Sequence, residues 1–289
     1  MTVGGFRSEV GQARFVSAYA EGMRLLPAPT READVQTSFG TVRAYQFGEL
    51  DRPPLVLMPG KASSTPLWAT NLATLMPLRP VICLDILGEP GLSVQTRPIR
   101  SAEDQAQWLD EALGVLGVPR AHLLGVSFGG WCAVNLAIRR PERVATLITL
   151  DPANTFATIG LKVILFSLAT MLPGVPERLR NWCLKWIAGG AEAPENTPEG
   201  KLIALGMKEY VSKLPAPEYP TDAQLRSISV PTLVLIAGRS IIHDASKAAR
   251  RARLVPKAEV EVWPEASHAI NGEYPERIAA RVRTFLAER

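Results

Sequence analysis

The sequence predicts an α/β protein with a mostly parallel sheet that is covered by helices on both faces. Short runs of Val, Ile and Leu recur along the chain without polar interruption, which is typical of strands buried on both sides. Amphipathic segments of helical length separate these runs, and this alternation indicates parallel strands joined by helices. The chain has 289 residues, 47% of them hydrophobic. It is therefore long enough for one large domain with a sizeable core.

Eight strands can be placed along the chain. The first two are predicted to form a hairpin that turns at residues 39–41, and the other six are short apolar runs. The predicted strands cover residues 35–39, 42–47, 54–58, 81–85, 122–126, 144–150, 232–237 and 259–263. Apolar residues at helical spacing predict helices over residues 8–26, 66–76, 101–116, 128–140, 245–253 and 275–287.

Residues 154–228 break this alternation, since their pattern is helical and rich in Leu, Trp and Pro. We expect them to form a helical cap, or lid, inserted beside the carboxyl edge of the sheet. The core is then divided into residues 35–153 and 229–289. Residues 1–34 are predicted to form an N-terminal helical segment.

One part of this insertion, Phe156 to Pro173, is apolar except for Lys162. Its length is near the lower limit for a membrane span. Because small and polar residues interrupt it, we expect a buried or pocket-lining helix. The alternative is an interfacial helix that touches lipid.

Charge and cysteine usage narrow the classes of partner. The net charge of +4 comes from scattered basic residues rather than from a basic stripe, so no nucleic-acid partner is expected.

The N-terminus has no apolar signal region. The three cysteines are far apart in the sequence and each lies in an apolar segment, which favours reduced thiols and a cytoplasmic location. No Cys/His spacing indicates a metal site, no cofactor is expected, and the protein is predicted to be a monomer or a homodimer. The cysteines are Cys83, Cys132 and Cys183.

The segment Gly125-Val126-Ser127-Phe128-Gly129 has the pattern G-x-S-x-G, at the point where a strand ends and a helix begins. In that context the pattern predicts a sharp turn that lifts a serine hydroxyl above the end of a sheet. Glycine is needed on both sides of the serine because a Cβ there would clash with the close backbone. Ser127 would also lie at a helix N-terminus, where free N–H groups can stabilise an oxyanion.

Three further polar residues follow strands of the same sheet. Asp151 follows the strand at 144–150, Asp244 lies in the loop after 232–237, and His268 lies in the loop after 259–263. Since these loops leave the same edge of a parallel sheet, a serine, a carboxylate and a histidine can converge there. A serine needs a base to become nucleophilic, and a carboxylate orients that base. By residue type and position alone, either aspartate could be this carboxylate.

The remaining two histidines are assigned other roles. His122 begins the strand before the serine, at the opposite edge of the sheet, so we expect it to be structural. His243 lies in a loop and is interpreted as a surface residue or a pocket wall.

Taken in order, several segments resemble the α/β-hydrolase superfamily, and specifically its small bacterial carboxylesterase-like members. The matching segments are LVLMPG (55–60) with Trp68, DILG (85–88), GVSFGG (125–130), PERV (141–144), PTLVLIAG (231–238) and Ser267-His268. The resemblance implies an α/β-hydrolase fold with Ser127 as nucleophile. It also implies an oxyanion hole made by the backbone N–H of Phe128 and that of Lys61, with Ala62 as the alternative to Lys61.

The acid is where this chain departs from many relatives. They carry it about three residues after the glycine that matches Gly238, and Ile241 occupies that position here. Some relatives place the acid about two dozen residues beyond the nucleophile instead. Asp151 fits that spacing, since 151 − 127 = 24. We therefore favour Asp151, and keep Asp244 as the alternative acid or as the N-cap of the next helix.

The resulting hypothesis is a serine hydrolase that cleaves a small apolar ester through an acyl-enzyme. The predicted substrate pocket consists of Gly60, Trp68, Trp131 and Phe156. A C–C bond hydrolase or a lactonase could use the same triad. A binding protein of this fold that has lost catalysis is the alternative from another class.

Overall fold

The structure is a computed structural model. It describes residues 2–160 and 197–287, together with Val163, Pro176 and Arg178. Most of the predicted run from Phe156 to Pro173 lies outside the described residues, as does Cys183.

The described residues form eleven strands and nine α-helices. The strands are β1 Gly5–Phe6, β2 Arg31–Thr37, β3 Gly40–Phe47, β4 Leu55–Met58, β5 Val81–Leu84, β6 Val94–Gln95, β7 Ala121–Val126, β8 Val144–Leu150, β9 Tyr210–Val211, β10 Thr232–Ala237 and β11 Ala258–Trp263. The helices are α1 Glu9–Met23, α2 Ala69–Leu75, α3 Ala102–Val115, α4 Phe128–Arg139, α5 Pro198–Glu209, α6 Asp222–Ser227, α7 Ala245–Ala252, α8 Ile270–Glu273 and α9 Pro275–Ala287. Two 3₁₀ turns, Thr65–Trp68 and Pro141–Arg143, complete the assignment.

The main sheet has the strand order β2-β3-β5-β4-β7-β8-β10-β11, and the two-residue strand β6 pairs with β3 beside this path. Strands β5, β4, β7, β8, β10 and β11 are parallel to their neighbours in this series. Strand β3 is antiparallel to β2, β5 and β6. The predicted α/β-hydrolase fold with a mostly parallel sheet is therefore confirmed, although β6 makes the sheet one of nine strands rather than the predicted eight.

The first hairpin turns earlier than the sequence pattern indicated. Thr37 pairs with Gly40, so the turn consists of Ser38 and Phe39, and Phe39 is buried in the core. Gly40 begins β3 with φ +139°, and a Cβ there would lie 2.1 Å from the carbonyl oxygen of Val94 in β6. Since the contact with β6 is distant in sequence, a local turn pattern could not reveal it.

The two faces of the sheet are covered by different helices. In β4, Val56 and Met58 belong to one core cluster, and Leu55 and Leu57 belong to the other. Residues of α3, α4 and α7 complete the first cluster, whereas residues of α1, α2 and α9 complete the second. Because both faces are packed, the carboxyl edge of the sheet is left as the place for a site.

The N-terminal segment packs against the insertion. Strand β1 pairs antiparallel with β9, and the Arg7 amide donates to the carbonyl of Glu209 at 2.7 Å. Strand β2 begins at Arg31, four residues before the predicted boundary at residue 35. We propose that the chain is divided into an N-terminal segment, a core and a cap, and that the N-terminal segment docks on the cap through the pairing of β1 with β9. None of the described helices is long and apolar enough to cross a membrane.

The two cysteines in the described ranges are buried free thiols. Cys83 lies in β5 and Cys132 in α4. Burial raises the pKa of Cys132 to about 12, so that thiol stays protonated near neutrality. These two residues therefore act as small apolar core residues.

Candidate active site

The turn between β7 and α4 holds Ser127 in a strained conformation. Its φ of 52° and ψ of −116° lie in a region that residues with a Cβ rarely adopt. The amide of Ser127 donates to the carbonyl of Leu150 at 3.0 Å, and its carbonyl accepts from the amides of Trp131 and Ala153, each at 3.1 Å. These bonds hold the hydroxyl at the top of the sheet, as the motif predicted.

The two glycines of the motif leave no room for a side chain. A Cβ on Gly125 would lie 2.2 Å from the carbonyl oxygen of Gly129. A Cβ on Gly129 would lie 2.1 Å from the carbonyl oxygen of Met58 at the end of β4. The turn can therefore form only because both positions lack a side chain.

Ser127, His268 and Asp151 form a continuous hydrogen-bonded chain. His268 Nε2 lies 2.9 Å from Ser127 Oγ, and His268 Nδ1 lies 2.6 Å from Asp151 Oδ2. The three residues follow β7, β11 and β8, so the carboxyl edge of the sheet brings them together as expected. The residue order and the distances match those of a Ser-His-Asp triad.

Asp151 is completely buried, and several donors surround its carboxylate. The amide of Ala237 donates to Oδ1 at 3.0 Å, and the hydroxyl of Ser240 donates to Oδ2 at 2.6 Å. Burial acts to raise the pKa of Asp151, but the adjacent His243 and His268 more than offset this, so that the pKa lies well below its usual range. Asp151 is therefore ionised at the pH at which a histidine acts as a base.

His243 is buried beside the acid, which its sequence position did not indicate. Its side chain is only 1% exposed, and its Nε2 lies 3.1 Å from Asp151 Oδ1, although the contact is not a well-directed hydrogen bond. His243 is thus neither a surface residue nor a wall of an open pocket, because it packs against the carboxylate. The one available signal was its place in the loop after β10, where many relatives carry their acid.

His122 is buried at the start of β7, where its Nδ1 lies 2.9 Å from Thr146 Oγ1. Burial, helped by the nearby charges of Arg79 and Arg120, lowers its pKa to about 4. This residue is neutral and distant from Ser127 along the strand, in keeping with the structural role expected of it.

Asp244 is the N-cap of α7. Its carboxylate accepts the amide of Lys247 at 2.8 Å, and Asp244 is exposed. The structure joins His268 to Asp151, so Asp244 as the alternative acid finds no support in this geometry.

The loop after β4, residues 60–62, borders Ser127 and is called the oxyanion loop below. A Cβ on Gly60 would lie 3.5 Å from Ser127 Cβ, which shows how closely the two backbones approach. The amide of Ala62 donates to Glu89 Oε2 at 2.8 Å and is therefore occupied. Among the described residues, the amides of Lys61 and Phe128 have no acceptor. Of the two expected alternatives, Lys61 fits the role of second oxyanion donor better than Ala62.

The predicted pocket residues differ in their surroundings. Trp68 has no exposed surface and lies in the core cluster on the α1, α2 and α9 face, so its assignment to the pocket finds no support. Trp131 stacks on Phe128 with 5.6 Å between ring centroids, and its Nε1 donates to the carbonyl of Glu218 at 2.7 Å. Phe156 is buried in the opposite cluster. A pocket role for Trp131 and Phe156 stays a prediction.

Within the described ranges, no group of three or more His, Cys, Asp or Glu side chains is arranged to hold a metal ion. The groups that the structure offers for chemistry here are the hydrogen-bonded side chains of Ser127, His268 and Asp151.

Comparison with known proteins identifies the family. The family model described as alpha/beta hydrolase family matches residues 17–281, which is most of the chain. The chain belongs to the alpha/beta hydrolase family.

Its similarity to individual family members extends over nearly the whole length. The chain is 30% identical over 281 residues to carboxylesterase YbfK of Bacillus subtilis, covering 94% of this chain and 93% of the relative. The crystal structure of naproxen esterase from Bacillus subtilis matches with a TM-score of 0.86 and 28% identity, covering 96% of this chain and 99% of that one. A 2-hydroxymuconate semialdehyde hydrolase of Pseudomonas putida is 26% identical over 249 residues, covering 81% of this chain and 87% of the relative.

We predict that Gly129→Ala strongly destabilises this alpha/beta hydrolase. The new methyl group would overlap the carbonyl oxygens of Met58 and Pro59, so β4 and α4 must move apart. The expected loss in unfolding free energy is at least about 3 kcal/mol, at the upper end for overpacked cores. Urea denaturation followed by circular dichroism measures it.

Gly114→Ala is the matched control. It lies in α3, where the nearest atom to a new Cβ is the Arg143 guanidinium at 3.4 Å, and it should be neutral or slightly stabilising. Equal stability of the two variants would contradict the close packing described for the turn.

Proposed function

We propose that the protein is a carboxylesterase that acts through an acyl-enzyme on Ser127. The observation that carries this proposal is the unbroken chain from Ser127 Oγ through His268 to the buried carboxylate of Asp151. Hydrogen-bonded nucleophile, base and acid with two free amides beside the nucleophile are the parts that acyl transfer needs.

In the first half of the reaction, His268 Nε2 takes the proton of Ser127 Oγ as this oxygen attacks the ester carbonyl. The amides of Phe128 and Lys61 stabilise the oxyanion that forms on the carbonyl oxygen. Asp151 orients the ring and stabilises the imidazolium through Nδ1–H. The imidazolium then gives its proton to the departing alcohol, and the acyl group remains on Ser127.

The second half repeats these steps with water. His268 takes a proton from a water molecule, whose oxygen attacks the acyl carbonyl. Collapse of the second tetrahedral intermediate returns the proton to Ser127 and releases the carboxylic acid. Because the same amides bind both oxyanions, one oxyanion hole serves both halves.

The proposed substrate is an uncharged ester of modest size. Lys61 Nζ lies beside the site but forms an ion pair with Glu89 at 3.1 Å, so its charge is compensated and does not favour an anionic substrate. Phe128, Trp131 and Phe156 are buried in one core cluster, and we propose that they form the apolar wall of the acyl pocket. The two relatives with the highest coverage above are esterases by name, and this supports ester cleavage.

Hydrolysis of a C–C bond by the same triad is the second candidate. It is favoured by the similarity to a 2-hydroxymuconate semialdehyde hydrolase, at lower identity and coverage than the similarity to YbfK. A catalytically silent binding protein is disfavoured because the strained turn at Ser127 and the two free amides would then serve no purpose. The buried thiols Cys83 and Cys132 support the proposed cytoplasmic location.

We predict that a fluorophosphonate probe labels the protein at Ser127. His268 activates this hydroxyl, and the phosphonyl oxygen would occupy the oxyanion site. Labelling is measured by gel fluorescence and located by mass spectrometry of the tryptic peptides. Ser127→Ala should remove the label entirely. A folded wild-type protein that takes no label would exclude the serine hydrolase reading.

We predict that Asp151→Asn lowers kcat about 10³-fold or more for a p-nitrophenyl ester, since the amide cannot stabilise the imidazolium. Asp244→Asn should stay within about twofold of wild type, because asparagine is as good an N-cap as aspartate. Steady-state kinetics and melting temperatures of both variants are compared side by side. Small and equal losses would show that the acid lies elsewhere.

We predict that kcat/KM for p-nitrophenyl esters is highest for a short or medium acyl chain and exceeds that for 2-hydroxymuconate semialdehyde. The proposed apolar wall of the acyl pocket would favour an uncharged acyl group over a dienoic acid. An acyl series from acetate to palmitate, with the semialdehyde as the competing substrate, tests the ranking. Faster cleavage of the semialdehyde would favour the C–C hydrolase.

A further inference from the structure

Glu89 is a buried carboxylate that the triad does not use. It follows β5, its side chain is 1% exposed, and it lies beside the oxyanion loop rather than beside His268. A carboxylate buried to this extent needs several donors to compensate for its lost hydration.

Three donors from two parts of the chain surround Glu89. The amide of Ala62 donates to Oε2 at 2.8 Å, while Lys61 Nζ donates to Oε1 at 3.1 Å. The hydroxyl of Ser212, in the insertion just after β9, donates to Oε1 at 2.9 Å. The side chain thus connects two residues of the oxyanion loop to the insertion.

The insertion approaches this loop closely. A Cβ on Gly88 would lie 2.6 Å from the side chain of Leu214, and a Cβ on Gly206 in α5 would lie 2.9 Å from the carbonyl oxygen of Ala62. Both glycines therefore allow the insertion to pack directly on the turn that carries Glu89 and on the loop that it binds.

The contact with Ala62 controls the direction of a neighbouring amide. Ala62 has φ 57°, a conformation that an alanine adopts only when its surroundings hold it there. The bond to Glu89 engages the N–H of the peptide between Lys61 and Ala62 and so fixes the plane of that peptide. On the other side of Lys61 stands Gly60, which restricts the backbone least of all residues. Without Glu89 the Lys61 amide would have only this flexible neighbour to orient it.

We propose that Glu89 is a positioning residue that holds the oxyanion loop, and with it the Lys61 amide, in the orientation that binds the transition state. Ser212 completes the set of donors around the carboxylate from the side of the insertion. This proposal rests on the proposed function, since it assigns the Lys61 amide to the oxyanion hole.

The test combines hydrogen exchange with kinetics on the full-length protein. Glu89→Gln keeps the shape of the side chain but removes its charge and one acceptor oxygen. Exchange of the backbone amides in peptides that cover residues 60–65 is measured by mass spectrometry and should become at least about fivefold faster. For a p-nitrophenyl ester, kcat should fall between about 10- and 100-fold, less than the loss of a whole oxyanion donor, with KM changed less than about threefold.

A transition-state analogue separates positioning from a general loss of structure. A trifluoromethyl ketone adds to Ser127 and presents an oxyanion, so its inhibition constant should weaken by the same factor as kcat/KM. Glu209→Gln is the matched control, because Glu209 is also a buried carboxylate, lies in the insertion at the end of α5, and contacts Arg14 instead of the loop. This control should leave loop exchange and kcat unchanged.

The results that would overturn this proposal differ from those that would overturn the proposed function. Unchanged exchange in residues 60–65 overturns the proposal whether or not the protein cleaves esters. Faster exchange with an unchanged kcat also overturns it, because the loop would then not bind the oxyanion. A wild-type protein that neither takes a fluorophosphonate nor cleaves esters contradicts the proposed function, while its exchange data still decide whether Glu89 holds the loop. If Glu89→Gln does not fold, Ser212→Ala removes one donor only and should speed loop exchange by a smaller factor.

Discussion

The ionised carboxylate of Asp151 is the constraint on which the arrangement of the site depends. A fully buried charge costs several kcal/mol in lost hydration unless donors surround it. The end of β10 supplies the amide of Ala237, the loop beyond it supplies the hydroxyl of Ser240, and His268 supplies the ring that faces Ser127. The loop after β10 therefore donates hydrogen bonds to the acid but does not contribute the acid itself. Because the acid follows the neighbouring strand β8, β10 and its loop lie where they can supply these donors.

Backbone strain is concentrated at the same edge of the sheet. Every non-glycine residue with positive φ in the described part of the chain follows a central strand at its carboxyl end. They are Ala62 after β4, Ser127 after β7, and Asp151 and Asn154 after β8. Each such conformation costs about 1–3 kcal/mol and persists only where the surroundings determine it. Here the packed sheet and the hydrogen bonds of Leu150, Glu89 and Ala237 hold the three loops, and the result is a site whose groups are oriented before substrate arrives.

The sequence patterns predicted those features of the structure that depend on the local order of residues along the chain. Apolar runs and helical periodicity located the strands and helices of the core to within a few residues, and parallel topology then brought Ser127, Asp151 and His268 to one edge. Features that depend on contacts between distant segments were missed. The turn before Gly40 is set by β6, the pairing of β1 with β9 joins two-residue strands about 200 positions apart, and Trp68 is covered by helices that the local pattern does not show. For the same reason His243 was given a surface or pocket-wall role and Glu89 was not singled out, since the importance of both comes from partners on other loops.

Asp85 shows why burial alone does not make a carboxylate useful for catalysis. Like Asp151 it is completely buried at the end of a central strand, and it accepts the amides of Thr65 and Leu92, each at 2.8 Å. Its pKa is raised, because burial outweighs these hydrogen bonds and no histidine adjoins it. Asp151 has comparable burial but lies between two histidines, and its pKa is lowered. The difference lies in the partners: neutral donors from Thr65, Leu92 and Tyr19 make Asp85 a structural link between loops and α1. Adjacent imidazoles keep Asp151 charged, and only a charged carboxylate could play the proposed part of stabilising an imidazolium when Ser127 attacks.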